Sequence, residues 1–166
     1  MDLHLKLNPT FEEAACVGEA IREQEGILIE SLGCSPADSC LVGIRESEYI
    51  GTIQTKDGKA VALVGIVEDD NFEDTGLVWS MSSIEVAKYP LAFVKIMRQL
   101  MEEYGGLYSR LLSLASSDNE AHQRFHITLG MLPTGEELPI PHTPLTYKVY
   151  ELITTKGLNK LYYEQS

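Results

Sequence analysis

Leu111-Leu112-Ser113-Leu114-Ala115-Ser116-Ser117-Asp118-Asn119, continuing as Glu120-Ala121-His122-Gln123-Arg124-Phe125-His126-Ile127-Thr128-Leu129-Gly130-Met131, carries three structural signals in succession. The apolar run Leu111 to Ala115 reads as a central strand within 107–116. Asp118 or Asn119 then offers a short polar side chain to the free N–H groups of a helix start. The helix runs through Leu129, and Gly130 stops it. A central strand feeding a capped helix is the signature of a mixed α/β domain.

The flanking sequence extends the pattern in both directions. Leu3, Leu5 and Leu7 alternate with His4 and Lys6, the period of a short half-buried strand. Pro9-Thr10 opens a helical pattern in which Phe11, Ala14, Ala15, Gly18 and Ile21 share a face, with Gly26 as its end. A short apolar segment, Ile27 to Leu32, follows. Ser35-Pro36 starts a second helix that runs to about Ser47. Tyr49 to Thr55 and Ala60 to Val67 read as a hairpin about Asp57-Gly58, and Thr75 to Met81 as a third strand carrying Trp79. From Tyr89-Pro90 a helix with the stripe Phe93, Met97, Leu100 and Tyr104 runs to Gly105-Gly106. Residues 133–144 are rich in proline, and Thr146 to Ile153 alternates as a last strand. The order is β-α-α-β-β-β-α-β-α-(β)-β, a mixed α/β sheet in one domain over 1–166.

Charge narrows the partners. Thirteen basic and 25 acidic residues give a net charge of −12, which repels phosphate polyanions and anionic lipid surfaces. Neither nucleic acid nor a membrane is therefore expected as a partner. The run Glu68-Asp69-Asp70-Asn71-Phe72-Glu73-Asp74 reads as a solvated acidic loop, because it lacks the glycine and distal glutamate of a calcium loop. Cys16, Cys34 and Cys40 are odd in number and form no Cys-x-x-Cys pair, which suits a reducing cytoplasm. The start Met1-Asp2-Leu3-His4 has no basic segment followed by an apolar one, and no apolar run approaches the length of a membrane span. His122 and His126 lie one helical turn apart, the spacing of two metal ligands, but no third ligand is evident and no metal is expected.

The order of elements, and the segment from Asn119 to Met131 above all, resembles the GNAT superfamily of acyl-CoA-dependent N-acyltransferases. In that superfamily an Asn opens the last helix, a Tyr often lies seven positions on, and Leu-Gly-Phe closes the helix. Asn119, His126 and Leu129-Gly130-Met131 occupy those places here. The sequence is most similar to short GNAT-like proteins of tailed phages, of the podophage internal virion protein A type. Leu32-Gly33-Cys34-Ser35-Pro36, Asp57 to Ile66, Val78-Trp79-Ser80 and Tyr89-Pro90-Leu91-Ala92-Phe93 carry that likeness by order and spacing.

The resemblance implies a GNAT-like mixed sheet, with antiparallel N-terminal strands, splayed central strands and helices on both faces. It implies acetyl-CoA or another acyl-CoA as cofactor, its pantetheine arm on the splayed strand Leu77 to Met81 and its pyrophosphate at the turn from Ser82 to Leu91. Trp79, Ser80, Met81, Ser82, Ser83, Lys88 and Asn119 are then the cofactor-binding residues, and His126 and Asn119 the catalytic ones. His126 stands where the superfamily has the tyrosine that protonates the leaving thiolate. Glu68, Asp69, Glu73 and Asp74 are candidates for the general base by their place beside the splayed strand. The superfamily's turn has Gly-x-Gly or Gly-x-Ala, whereas Ser82-Ser83-Ile84-Glu85-Val86-Ala87-Lys88-Tyr89-Pro90 has no glycine and a proline without an N–H. Two readings follow. One is an N-acyltransferase acting on an amine of a small molecule or host protein. The other is an inactive phage protein of the same fold that binds a host bacterial or virion protein. Either implies residence in the cytoplasm of the bacterial host or in the virion.

Overall fold

The structure, a computed structural model, describes residues 2–31 and 33–165. Seven strands form one sheet in the order β1-β2-β3-β4-β5-β7-β6. They are β1 (Leu3–Leu7), β2 (Tyr49–Thr55), β3 (Ala60–Glu68), β4 (Thr75–Ser82), β5 (Arg110–Ser116), β6 (Leu132–Pro139) and β7 (Thr146–Ile153). The helices are α1 (Phe11–Glu19), α2 (Glu23–Ser31), α3 (Pro36–Glu46), α4 (Pro90–Leu107), α5 (Glu120–Thr128) and α6 (Thr155–Gln165), with a 3-10 turn at Ile84–Lys88. β1–β2, β2–β3, β5–β7 and β6–β7 pair antiparallel, while β4 and β5 pair parallel. The expected mixed α/β class is thus observed. No helix among the described residues is long and apolar enough to cross a membrane.

Local chemistry fixes most boundaries. Thr10 and Glu13 form a reciprocal capping box at the start of α1. Ser35 caps α3 through the Asp38 N–H at 3.1 Å, with Pro36 in the first turn. α5 ends in a full Schellman motif: Gly130 has φ 89°, its N–H reaches Ile127 O at 2.9 Å, and the Met131 N–H reaches His126 O at 3.1 Å.

Three expectations need correction. The helix read from Pro9-Thr10 to Gly26 is two helices, because the chain breaks at Ala20–Arg22 to bridge the end of β4. Ile21 pairs with Ser83, the Arg22 N–H donates to Ser82 O at 3.3 Å, and the Ile84 N–H donates to Ala20 O at 2.9 Å. Gly26 lies inside α2, and the segment read as Ile27 to Leu32 is helical through Ser31, Leu32 itself lying outside the described residues. Gly105-Gly106 does not stop α4, which runs on to Leu107, with Met101 and Tyr104 buried alongside. α6 was not expected at all.

The chain divides into two compact units, one of 1–67 with 79–96 and one of 68–78 with 97–166. In the first, Ala14, Val17, Cys40, Ala60 and Leu63 form a buried cluster against which Leu41, Ile44, Ile50, Trp79 and Met81 pack. A polar network holds α1 in the same unit: Lys6, Gln54 and Thr52 all donate to the Glu13 carboxylate. Burial pushes the Glu13 carboxyl up, but the Lys6 and Thr10 hydrogen bonds outweigh it and hold the group at about 2. In the second unit Leu111, Leu112, Ala115, Met131, Ile140, Val149 and Tyr150 are buried, together with Met97, Leu100, Met101 and Tyr104 of α4.

Candidate active site

The sheet itself sets up the second unit's site. β5 pairs with β7 along its whole length, from Arg110↔Ile153 to Ser116↔Tyr147. With β4 it pairs only at Thr75↔Arg110, Gly76↔Leu111 and Leu77↔Leu112. Beyond Leu77 a side chain replaces the ladder, as the Ser113 hydroxyl lies 2.9 Å from Val78 O. Among the described residues, β4 therefore has no paired residue on β5 from Val78 onward, the splay expected of the central strands.

His126 sits directly behind this point. Its ring is 3% exposed, stacked on Tyr150 with centroids 4.9 Å apart, and tilted against His122 at 4.4 Å. Nδ1 lies 2.7 Å from His122 O and Nε2 lies 2.6 Å from Ser113 Oγ. A carbonyl only accepts, so Nδ1 carries a proton. In the neutral ring Nε2 therefore accepts the Ser113 hydroxyl hydrogen. In the imidazolium it donates to Ser113 Oγ, and the hydroxyl turns to Val78 O. Burial holds the His126 pKa below its usual 6.5, against the opposing hydrogen bond to His122. His126 faces neither solvent nor a vacant position: any proton it moves passes through Ser113. Ser113 was missed in the sequence, although it is the one polar residue inside the run Leu111 to Ala115.

Asn119 caps α5, its side chain accepting from the His122 N–H at 3.1 Å, and is 9% exposed. It therefore fixes the first turn of α5, where the His122 carbonyl receives His126 Nδ1. The acids proposed for the general base lie toward the other, paired end of β4. Asp69 Oδ1 accepts from the Asn71 and Phe72 N–H groups at 2.8 and 3.1 Å. Asp74 accepts from Ser109 Oγ and, at 2.8 Å, from Lys156 Nζ. Burial would raise the Asp74 pKa, but Lys156 and Ser109 lower it overall, so the group is a committed anion.

The remaining expected cofactor residues belong to the first unit. Trp79 packs over Gly43 and Gly65 and donates from Nε1 to Ser47 Oγ at 2.8 Å. Ser80 and Met81 are half-buried, and the Cys40 thiol lies 3.3 Å from Met81 Sδ. Ser82 and Ser83 are buried.

The backbone of the turn is largely committed. The Ser82 N–H goes to Glu25, the Ser83 N–H to Val61 O, the Ile84 N–H to Ala20 O and the Glu85 N–H to Ser83 Oγ. Those of Val86 and Tyr89 close the 3-10 turn. Lys88 is exposed and paired with Glu85 at 2.8 Å. The turn after β4 therefore spends the N–H groups of Ser83, Ile84, Glu85, Val86 and Tyr89 on partners within the protein. Among the described residues no group of three His, Cys, Asp or Glu is placed to hold a metal ion.

One carboxylate that no sequence signal marked stands apart. Glu25, in the first turn of α2, has a buried Oε2 with no hydrogen-bond partner. Burial raises its pKa, opposed by the Arg22 charge and the Ser82 N–H.

No family model and no curated protein matches the sequence. Solved structures do. A spermidine N-acetyltransferase from Vibrio cholerae in complex with CoA and spermine superposes with a TM-score of 0.70 at 11% identity, covering 95% of this chain and 99% of that one. A chimera built on the Vibrio cholerae enzyme gives 0.72 at 11% identity, covering 96% and 99%. A GNAT-family acetyltransferase from Bacillus anthracis gives 0.70 at 11% identity, covering 92% and 95%. The fold is that of the GNAT acetyltransferases.

Proposed function

We propose, with the GNAT fold as premise, that this chain transfers an acyl group from acyl-CoA to an amine, acting as a single domain over 1–166. The observation that carries the reading is the interrupted ladder: β4 leaves β5 at Leu77, and the first groups past the break are Val78 O, Ser113 Oγ and, behind them, His126 Nε2. An opened strand offers its backbone at Val78 to an extended acyl-pantetheine arm. The Ser113–His126 pair is a proton carrier for the leaving sulfur, with the imidazolium as the form that donates. Asn119 positions His126 by holding the first turn of α5. Ser82, Ser83 and Lys88 keep their proposed place beside the phosphates, with the α4 start as the source of amides.

The acceptor is a small-molecule amine in the first instance. A charge of −12 draws a cationic amine toward the protein, and spermine is what one structural neighbour holds. A phage origin, an amine on a host protein and a place in the host cytoplasm rest on the sequence segments between residues 30 and 131 alone.

The test is transfer itself. With acetyl-CoA and spermidine, mass spectrometry is expected to find acetylspermidine formed in proportion to free CoA released. Release of CoA with no acetylated amine, across a panel of primary amines, contradicts the proposal.

A second reading has its own support. The N–H groups of Ser82 to Val86 are bonded within the protein and Lys88 is bonded to Glu85. A descendant that has lost CoA binding and presents its acidic surface to a host or virion protein accounts for both.

A further inference from the structure

One cavity lies wholly within the second unit. It holds about 750 Å3 and opens between the middle of α4, the Schellman end of α5, the end of β7 and the first turn of α6. That volume is within the range of ligand pockets. Met101, Leu129, Leu152, Ile153 and Leu158 form its apolar wall. Ile153 and Leu158 stay exposed, so apolar surface is left open to water here. Gly105 completes the wall, although glycine is a poor residue inside a helix. A Cβ at Gly105 would stand 3.4 Å from the Thr154 Cβ, in the gap between α4 and the start of α6.

Two opposite charges face this space from one helix. Arg98 and Glu102, four residues apart on α4, both line the cavity. That spacing lets side chains pair along a helix surface, yet no ion pair among the described residues includes either of them. Arg98 gives Nε and Nη2 to Thr128 O at 3.4 and 3.2 Å, and its fork has further N–H groups to offer. The Glu102 carboxylate meets no donor among the described residues.

The pair selects a ligand by exclusion. Glu102 opposes a ligand with a carboxylate alone, Arg98 opposes one with an ammonium alone, and the apolar wall opposes a small hydrophilic ion. A molecule with both charges on an apolar body satisfies all three. Spacing sets its length. Cβ atoms four residues apart on a helix are about 5–6 Å apart, and two residues of extended chain reach about 7 Å.

We propose that this cavity binds a short zwitterionic peptide with apolar side chains, its carboxylate on Arg98, its N-terminal ammonium on Glu102 and its side chains against Met101, Leu152 and Leu158. The site lies at the end of α5 opposite Asn119 and does not depend on acyl transfer.

Calorimetric titration of the full chain with the dipeptide Leu-Leu tests this, beside N-acetyl-Leu-Leu, which lacks the ammonium, and Leu-Leu amide, which lacks the carboxylate. Free Leu-Leu is expected to bind, and each blocked form to bind about tenfold more weakly. Glu102→Gln should erase the preference for the free over the acetylated N-terminus and keep the preference for the free carboxylate. Arg98→Gln should do the reverse. No binding at millimolar Leu-Leu overturns the proposal. Equal affinity for the three peptides does so too, since the groove then reads no charge. Binding that both substitutions leave unchanged puts the peptide elsewhere and is equally contrary. The blocked peptides are compared on the unsubstituted protein, so the test stands even if Arg98→Gln, which gives up the Thr128 contact, loosens the end of α5.

Discussion

His126→Phe is expected to lower acetyl transfer about 100-fold while acetyl-CoA still binds. The substitution is chosen for what it preserves. Phenylalanine keeps the ring that stacks on Tyr150, and it removes only the two nitrogen contacts. Neither lost partner is orphaned: His122 O remains a helix carbonyl, and the Ser113 hydroxyl keeps Val78 O at 2.9 Å. The stability change should therefore stay within about 1 kcal/mol, whereas loss of a general acid costs on the order of 10²-fold or more in rate. If His126 is only a core residue, the melting temperature shifts and the rate does not.

The pH signature follows from the direction of the shift. Burial holds the folded-state His126 pKa below 6.5. The unfolded chain therefore binds the proton first as pH falls, and stability drops below pH 6.5 as the buried imidazole is forced to charge. The donating form is the imidazolium, so the rate contributed by His126 declines as pH rises through that lowered value. Both limbs should vanish in His126→Phe.

Trp79→Ala is expected to lower the melting temperature by about 10 °C. The sequence suggested a cofactor residue, yet the ring lies so close over two glycines that a Cβ at Gly43 would come within 2.6 Å of it and one at Gly65 within 2.7 Å. Its Nε1–H is held by Ser47 at 2.8 Å. Removing a large aromatic ring from such packing costs about 3–5 kcal/mol, at about 2–4 °C per kcal/mol for a chain of this size. A Trp79→Ala protein that melts within 2 °C of the unsubstituted one, in the ~1 kcal/mol range of a surface change, means the ring is free to serve a ligand instead. Thermal melts followed by circular dichroism decide it.

Elements whose ends are set by local chemistry were legible in the sequence. Ser35-Pro36 announced α3, Asp57-Gly58 the hairpin, and Asn119 with Gly130 framed α5. Alternation alone delivered β7 from Thr146 to Ile153. What failed depended on distant partners. The pattern through Ile21 continues as a helix, and only the bridge to Ser83 breaks it. Gly105 and Gly106 are poor helix residues, but α4 keeps its buried face at Met101 and Tyr104 through them. α6 had a readable cap, since the Thr154 hydroxyl accepts from the Gly157 N–H at 3.1 Å, but its polar composition gave little periodicity.

The site divides in the same way. His126 and Asn119 were singled out by the resemblance of Asn119 to Met131 to the superfamily's last helix. Ser113 became meaningful only when β5 was set beside α5. The acids named as base candidates by proximity in the inferred fold lie at the paired end of β4, where Asp69 and Asp74 are bonded to neighbouring groups. The turn from Ser82 to Tyr89 was correctly read as lacking glycine. That its amides are also committed follows from tertiary bonds no spacing reveals.

The central claim is that an opened β4 without a glycine turn still holds acyl-CoA, and the melting temperature of the full chain with and without acetyl-CoA tests it most directly. At 100 times the dissociation constant, ligand binding to the native state adds about 2.7 kcal/mol, so a rise of about 5–10 °C is expected. A melting temperature unmoved at millimolar acetyl-CoA would contradict the account and leave the partner-binding reading in its place.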